Sequence, residues 1–278
     1  MSQTTKKPRR TAVAAAPTPA TPAIDVGSPE WIARRKAAIA KRVEWSSGPE
    51  EVVSHKAVGH EVGIRTSTWL TQTYREVHRK ESLMITPQQV IDVLVAAGVK
   101  KWVLMGLHGY VGYFHEPRAT QDVDVLVGLR ERGRAMKAIL AAWPRLQVEE
   151  RPEVLRFADP NDLDYSGHPK VVIDIMLPRD EFYRTILSEC VLIQEETQHH
   201  IPTLEAALVA KYAALMSLYR DQEKKEYDAG DFRRIVKANR ANIDVPVLRR
   251  LADQIWQGAA DDIERFIELA MTGEPFSV

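Results

Sequence analysis

An apolar β-strand that carries two aspartates two positions apart is the strongest constraint in this sequence. Residues 118–128 read RATQDVDVLVG, with Asp122 and Asp124 set among valines and a leucine. A buried strand excludes ionised carboxylates, because removing an unpaired charge from water is costly. Residues two apart in a strand point to the same face, so the two side chains project together, roughly 6–7 Å apart at their bases. The fold must therefore place this face where something compensates two negative charges.

A third acid stands in a second apolar strand. Residues 170–177 read KVVIDIML, and Asp174 is the single acid in that run. If the two strands are neighbours, three carboxylates meet, and each raises the pKa of the others unless cations neutralise them. Mg²⁺, or Mn²⁺ in its place, binds a few carboxylate oxygens together with substrate phosphates. Asp122, Asp124 and Asp174 thus form a candidate two-metal phosphoryl-transfer site. The competing interpretation is that all three are ordinary acids on the exposed face of an antiparallel sheet.

The segment before the aspartates has the elements of a phosphate-binding turn. The strand KWVLMG ends at Gly106, and a short helix that contains Gly109 follows it. Backbone N–H groups at such a turn favour an anion. Arg118 and Thr120 are candidates to hold a phosphate or to brace the loop, since arginine suits bidentate phosphate contacts. Glycines at strand ends are common and Arg118 is equally an ordinary surface arginine, so both interpretations stay open here.

The order of secondary-structure patterns predicts an α+β protein with a helical C-terminal subdomain. Residues 1–27 are rich in Pro and Ala and predict a disordered tail, and residues 28–84 predict an N-terminal helical extension. Residues 85–200 mix strands with helices, beginning with TPQQVIDVLVAAGVK, which has a capping box and a glycine stop. The segment CVLIQEE, residues 190–196, is the last strand that the pattern predicts. Residues 201–278 contain only helical patterns, the first of them over residues 203–222. A mixed core followed by a run of helices is typical of the α+β class.

Composition excludes several classes of protein. The 278 residues are 45% hydrophobic with a net charge of +0, which is ordinary for a globular chain. The single Cys190 rules out an intramolecular disulfide or a Cys-rich zinc site, and it fits a reducing, cytoplasmic compartment. No apolar run reaches the ~18 residues of a membrane helix, so no membrane partner is expected. Residues 1–81 hold 14 Lys and Arg against 8 Asp and Glu, a net +6 that mildly favours a polyanion.

These motifs together resemble the nucleotidyltransferase superfamily with the polymerase-beta-type fold. Residues 85–240 follow that family's order of motifs. A hydrophobic strand ends in Gly, a short helix and PRATQDVDVLV come next, and a third acid lies on a later strand. The closer resemblance is to the abortive-infection-type toxins of toxin–antitoxin systems, in which an R-x-T-x-D-x-D segment precedes a helical region. The resemblance implies that residues 85–200 form a nucleotidyltransferase core, a small mixed β-sheet with flanking helices.

The resemblance also assigns roles in the helical region. Lys211 takes the place of the family's helix lysine and would contact a nucleotide phosphate. Arg220 follows it, and Asp228 and Asp231 match the family's D-x-x-D element. From the residues alone, Lys211 is equally a solvated helix lysine, and the two aspartates are equally helix caps or partners of neighbouring arginines.

The implied activity is transfer of a nucleoside monophosphate from an NTP to an acceptor hydroxyl, with release of pyrophosphate. The acceptor would be RNA, such as a tRNA end, or a small molecule, and a toxin of this kind would have a cognate antitoxin as partner. One residue departs from the family pattern, since Leu107 follows Gly106 where the family has Gly or Ser. Leu107 leaves an alternative open, a catalytically weakened protein that binds a nucleotide or a partner on the same fold.

Overall fold

The chain is described by a computed structural model. The described residues are Pro29, Ala33 and the ranges 59–78, 83–114, 116–164, 166–194 and 198–276. The predicted tail, and most of the predicted N-terminal extension before residue 59, lie outside these ranges. Within the described residues no helix is long and apolar enough to cross a membrane.

The described residues form an α+β fold, as predicted. The helices are α1 (His60–His78), α2 (Pro87–Ala96), α3 (Gly106–Tyr110), α4 (Arg132–Ala142), α5 (Glu181–Ser188), α6 (Leu204–Met216), α7 (Gln222–Asn239), α8 (Val245–Ala252) and α9 (Ala259–Thr272). The strands are β1 (Trp102–Leu104), β2 (Val123–Val127), β3 (Gln147–Glu150), β4 (Val154–Leu163), β5 (Pro169–Met176), β6 (Val191–Gln194) and β7 (Gln198–Ile201).

Five of these strands make one small mixed sheet in the order β1-β2-β5-β4-β3. Strands β2 and β5 are parallel, and the other neighbouring pairs are antiparallel. The central strands are buried because their apolar residues pack against helices, with Val125 and Ile173 fully buried. The parallel β2–β5 pair is the part of the sheet that positions the predicted acids.

Local sequence signals explain how the core helices begin. Helix α2 starts at a complete capping box, in which the Thr86 hydroxyl accepts from Gln89 N–H and the Gln89 side chain accepts from Thr86 N–H. The Thr203 hydroxyl accepts from Ala206 N–H and caps α6. These caps satisfy N–H groups that have no partner within a helix.

Two elements differ from the sequence-based prediction. Strand β6 was expected to be the last strand, but it pairs with β7 in a separate two-stranded sheet. The β7 segment QHHI has no apolar alternation that would predict a strand. Helix α6 was expected to continue to residue 222, but it ends at Met216 and a short loop, residues 217–221, follows. The LYR sequence in that loop fits a helical pattern, although its Leu218 and Tyr219 are exposed.

Helix α1 docks against the core and holds the loop that precedes β2. The Ser67 hydroxyl donates to the Arg118 carbonyl at 2.7 Å, and the Thr71 hydroxyl accepts from Thr120 N–H at 3.1 Å. A buried ion pair also joins the helix to β4, with Arg75 Nη1 3.7 Å from Asp162 Oδ2. The described part of the predicted N-terminal extension therefore supports the segment that carries the aspartates.

Candidate active site

Two of the three predicted acids lie side by side on adjacent strands. Asp124 on β2 is the register partner of Asp174 on β5 across the parallel pair. Adjacent strands are about 4.8 Å apart and registered residues point to the same face, so the two carboxylates share one face of the sheet. Arg156 on β4 is in turn the register partner of Asp174. The juxtaposition needed for a shared cation is present at the centre of the sheet.

The third acid stands just before β2. Asp122 precedes the first residue of the strand and accepts a hydrogen bond from the Thr120 hydroxyl at 2.6 Å. Thr120 thus braces the Asp122 carboxylate, while its own backbone is held by helix α1. The negative charge of Asp122 acts on both Asp124 and Asp174, so the three acids form one electrostatic group.

The carboxylates repel one another in a partly desolvated place. Burial, followed by the charges of Asp122 and Asp174, raises the pKa of Asp124 well above its ordinary value. Burial also raises the pKa of Asp174 to about 6, although the Arg156 guanidinium opposes this shift. The Oδ1 atom of Asp174 is buried without a hydrogen-bond partner in the described structure, and Arg156 Nε lies 3.9 Å from it. Carboxylate oxygens that repel one another and lack hydrogen-bond partners are ligands that a hard divalent cation prefers.

The acidic side chains suit a metal ion that also binds a phosphate ligand. In the part of the chain that the structure describes, no three His, Cys, Asp or Glu side chains are already arranged to hold a metal ion. Asp124 and Asp174 nevertheless face each other, and Asp174 Oδ1 has no hydrogen-bond partner in the described structure. Mg²⁺ commonly takes one or two carboxylates and completes its shell with water and substrate phosphates. The site is therefore better suited to an ion that is coordinated partly by a phosphate ligand than to an ion coordinated by protein side chains alone.

Gly106 is required by its contact with Asp124. Its φ is +59°, a conformation that residues with a side chain rarely adopt. A Cβ atom at this position would lie 1.8 Å from Asp124 Oδ2. A backbone hydrogen bond of 2.8 Å from Met105 N–H to the Asp124 carbonyl fixes the approach. The turn from β1 into α3 is thus fitted around the Asp124 carboxylate.

The other two residues of this turn pack into the protein. A Cβ atom on Gly109 would lie 2.2 Å from the Leu104 carbonyl oxygen, so only glycine allows α3 to pack against the end of β1. Leu107, which departs from the family pattern, is only 4% exposed, so its side chain lies in the protein interior. Gly109 therefore has a packing role here, and its predicted contact with a nucleotide stays a prediction.

We expect the substitution Gly106→Ala to displace the Asp124 carboxylate while leaving a folded protein. The added Cβ would overlap Asp124 Oδ2, and the positive φ adds strain of about 1–2 kcal/mol. Thermal unfolding followed by circular dichroism measures the stability, and Mg²⁺-dependent nucleotide binding measures the site.

Gly167→Ala is the matched control for this prediction. Gly167 also has a positive φ, +79°, but no atom lies within 4 Å of its added Cβ. Both variants carry the backbone strain, and only Gly106→Ala carries the clash with Asp124. Equal nucleotide binding by the two variants would contradict the role assigned to Gly106.

The remaining predicted residues meet in one ionic network around two buried aspartates, Asp228 and Asp231. Arg118 binds Asp231 through two hydrogen bonds of 3.0 and 2.8 Å. Lys211 Nζ donates to both Asp228 and Asp231 at 2.8 Å. The Arg220 guanidinium also pairs with Asp228. Ion pairs thus join four segments of the chain: the loop before β2, helix α6, the 217–221 loop and helix α7.

Two of the predicted phosphate contacts, Arg118 and Lys211, are bound to aspartates within this network. Lys211 is only 7% exposed, so it is not a solvated helix lysine. Burial alone would raise the pKa of Asp231, but hydrogen bonds from Arg118 and the charge of Lys211 outweigh it and lower the pKa. Lys211 and Arg220 also act electrostatically on Asp124, so the network borders the acid group. Nucleotide contacts by Arg118, Thr120 and Lys211 stay predictions.

Tyr110 is a site residue that the sequence does not reveal. Its side chain is buried, and its hydroxyl lies beside the Gly106 backbone. Burial, then the neighbouring Tyr183 and the charge of Asp124, raises the pKa of this hydroxyl well above its ordinary value. Lys211 Nζ lies 5.7 Å from the Tyr110 ring centre. Tyr110 connects the glycine turn with the ionic network, but in the sequence it is one more aromatic residue in a short helix.

Three buried histidines lie beside the site and belong to packing. His108 is 3% exposed, and burial followed by the Arg118 charge lowers its pKa to about 4, against an opposing effect of Asp122. His60 and His199 are also buried, with ring centres 5.2 Å apart. His108 is therefore a packed helix histidine. His115 lies outside the described residues.

Comparisons with known proteins give little direct information. No protein-family model matches the sequence, and no curated protein matches it. Among solved structures, the chain is similar to an antigenic nucleotidyltransferase-like protein from Paracoccidioides brasiliensis, with 13% sequence identity and a TM-score of 0.39. That similarity covers 64% of this chain and 88% of the other. The function proposed for this chain therefore rests on the geometry of its own site.

Proposed function

We propose that this protein is a nucleotidyltransferase, which moves a nucleoside monophosphate from an NTP to an acceptor hydroxyl. One observation carries the proposal: Asp124 and Asp174 face each other in register on adjacent strands, with the Gly106 backbone fitted against Asp124. Repelling, partly buried carboxylates are costly to fold, and they are usual where a protein needs them for chemistry. A purely structural role would favour neutral side chains at these positions.

Asp122, Asp124 and Asp174 are proposed to hold Mg²⁺, with Mn²⁺ as a substitute. When bound, the ion supplies positive charge to the phosphate oxygens and to the attacking and leaving oxygens. Cationic side chains complete the surroundings, because the charges of Arg156, Lys224 and Arg151 all act on the Asp174 carboxylate. These three positive charges favour the approach of a polyphosphate.

Asp174 is proposed to position the acceptor. Its Oδ1 atom has no hydrogen-bond partner in the described structure, so it is free to accept a hydrogen bond from the acceptor hydroxyl. The hydroxyl proton moves to this oxygen as the acceptor oxygen forms its bond to the α-phosphorus. The bond between the α-phosphorus and the bridging oxygen then breaks, and pyrophosphate leaves with the electron pair.

The acceptor is proposed to be RNA, such as the end of a tRNA, in a cytoplasmic toxin that a cognate antitoxin controls. Two features support an RNA acceptor: the resemblance of the R-x-T-x-D-x-D segment and the net +6 charge of residues 1–81. A small-molecule acceptor would not need this basic segment. The growth arrest expected of such a toxin follows from modification of an RNA that protein synthesis uses.

Incubation of the purified protein with each labelled NTP, Mg²⁺ and total RNA tests the proposal. We expect label from one or more NTPs to enter RNA, and to disappear with Asp122→Ala or Asp124→Ala. Asp261→Ala is the control, because this exposed aspartate on α9 pairs only with surface groups in the described structure. Absence of NTP turnover together with absence of Mg²⁺-dependent nucleotide binding would refute the proposal.

The same experiment addresses the alternative of a weakened, non-catalytic protein. That alternative is favoured by Leu107, which stands where the resembling family has Gly or Ser. It predicts Mg²⁺-dependent nucleotide binding without transfer of label. Leu107→Gly would then be expected to restore transfer, whereas in an active enzyme it should mainly reduce stability, because Leu107 is buried.

A further inference from the structure

The loop between α6 and α7 presents two large apolar side chains to solvent. Leu218 is 90% exposed and Tyr219 is 98% exposed. These are adjacent residues, and keeping both in solvent forgoes the stabilisation that burial of a large apolar side chain provides. The loop is nevertheless anchored, since Tyr219 N–H donates to the Ser217 hydroxyl and the next residue, Arg220, is tied to Asp228. An anchored loop that keeps such side chains in solvent is typical of a binding element.

This loop lies at the edge of the carboxylate site. The charge of Arg220 acts on both Asp124 and Tyr183, so the base of the loop is next to the acids. Another exposed aromatic residue, Tyr227 on α7, is 57% exposed. The Arg118 guanidinium lies 5.9 Å from the Tyr227 ring centre. The exposed aromatic surfaces and the ionic network thus border the same acidic centre.

The charge around these aromatic side chains selects the kind of partner. Arg118, Arg220 and Lys224 are cationic, and each has an acidic partner: buried aspartates hold Arg118 and Arg220 in place, and Lys224 pairs with the exposed Asp221. Exposed aromatic rings beside cations are the combination by which proteins bind single-stranded nucleic acids, through base stacking and phosphate contacts. Bases inside a duplex are already stacked and cannot use such rings. A neutral apolar protein surface would match Leu218 and Tyr219 but not this charge.

We propose that Leu218, Tyr219 and Tyr227 form a stacking surface for unpaired bases at the 3′ end of the RNA acceptor. This inference rests on the proposed transferase function and specifies the form of its acceptor. Stacking of the terminal bases on these side chains directs the terminal hydroxyl toward Asp174. The acceptor must therefore end in a single-stranded overhang, and a blunt duplex end is excluded.

Binding of RNA to the full chain, measured without NTP or metal, tests this inference. The probes are a fluorescent hairpin with a four-nucleotide 3′ overhang and the same hairpin with a blunt end, followed by anisotropy. We expect Tyr219→Ala to weaken binding of the overhang probe about tenfold, and Leu218→Ser to weaken it less. Tyr219→Trp should retain binding. Leu163→Ala is the matched control, since Leu163 is an exposed apolar residue on β4, 52% exposed.

The outcomes separate this inference from the proposed function. Equal binding of both probes, or an unchanged affinity in Tyr219→Ala, overturns the stacking surface even if the enzyme transfers nucleotides. Self-association of the chain that Tyr219→Ala abolishes, with RNA affinity unchanged, assigns the loop to a second copy and also overturns it. Overhang binding that depends on Tyr219 in a protein without NTP turnover supports the surface and refutes only the transferase. Tyr219 is almost fully exposed, so the variant is expected to fold normally.

Discussion

Asp124→Asn is expected to stabilise the metal-free protein while strongly reducing the proposed metal-dependent nucleotide binding and transfer. The substitution removes a charge that burial and the neighbouring Asp122 and Asp174 make unfavourable, as the raised pKa of Asp124 indicates. The gain should be roughly 1–2 kcal/mol, the usual size for a single stabilising substitution, which corresponds to a rise in Tm of a few degrees. Loss of a proposed metal ligand should reduce the transfer rate by about a hundredfold or more.

The pH dependence of this gain has a definite sign. An unfolded aspartate ionises near pH 3.9, whereas the folded Asp124 retains its proton to a higher pH. The ionised carboxylate therefore destabilises the fold as pH rises above the unfolded value, and the full penalty is present above the folded pKa. The stabilisation by Asp124→Asn should vanish below about pH 4 and should grow as pH rises from there through the folded pKa of Asp124. Thermal unfolding of both proteins from pH 4 to pH 8 measures this difference.

Asp164→Asn is a control with the opposite expected sign. Asp164 has a lowered pKa, chiefly because its carboxylate accepts a hydrogen bond from the His168 backbone, so its ionised form favours folding. Its replacement should not raise the Tm at neutral pH. If Asp124→Asn destabilises the metal-free protein at pH 7, the acids are not in electrostatic conflict, and the case for a cation site at β2 and β5 fails.

Strand periodicity made the acid group predictable. Asp122 and Asp124 were expected to act together because they are two residues apart, and Asp174 was expected to join them because it interrupts an apolar strand. The sequence could not determine that β2 and β5 are adjacent and parallel, with Asp124 opposite Asp174. Strand order and register depend on packing of the whole sheet, and no local pattern encodes them.

Contacts between distant segments account for most of what the sequence did not reveal. Arg118 and Asp231 are separated by 113 positions and meet through two hydrogen bonds. The family resemblance singled out Arg118, Lys211 and Asp231 separately, but nothing in their local sequence shows that they bind one another. Helix propensity likewise failed after Met216, because the turn at residues 217–221 depends on tertiary contacts such as the Arg220–Asp228 pair.

Asp231→Ala is expected to cause the largest loss of stability of any single substitution in the ionic network. Asp231 is fully buried and accepts hydrogen bonds from Arg118, Lys211 and Arg234, so its removal leaves three cations partly uncompensated. Breaking a buried ion pair in this way costs about 3–5 kcal/mol, which corresponds to a fall in Tm of roughly 10 °C. Because the pKa of Asp231 is lowered, its contribution is complete at neutral pH and is lost only as pH falls through the folded pKa, below about 3.9.

A double-mutant cycle distinguishes a cooperative network from a set of independent contacts. Arg118→Ala and Asp231→Ala should show a coupling energy above about 1 kcal/mol in chemical denaturation, since each removes the main partner of the other. The control is Asp261→Ala, whose carboxylate is 82% exposed and pairs with Arg249 at 2.7 Å, and which should cost less than about 1 kcal/mol. If the network holds helices α6 and α7 onto the loop before β2, Asp231→Ala must destabilise the fold far more than removal of this surface pair does. Equal losses, or additive effects of Arg118→Ala and Asp231→Ala, would show that the network does not hold the helices to the loop before β2.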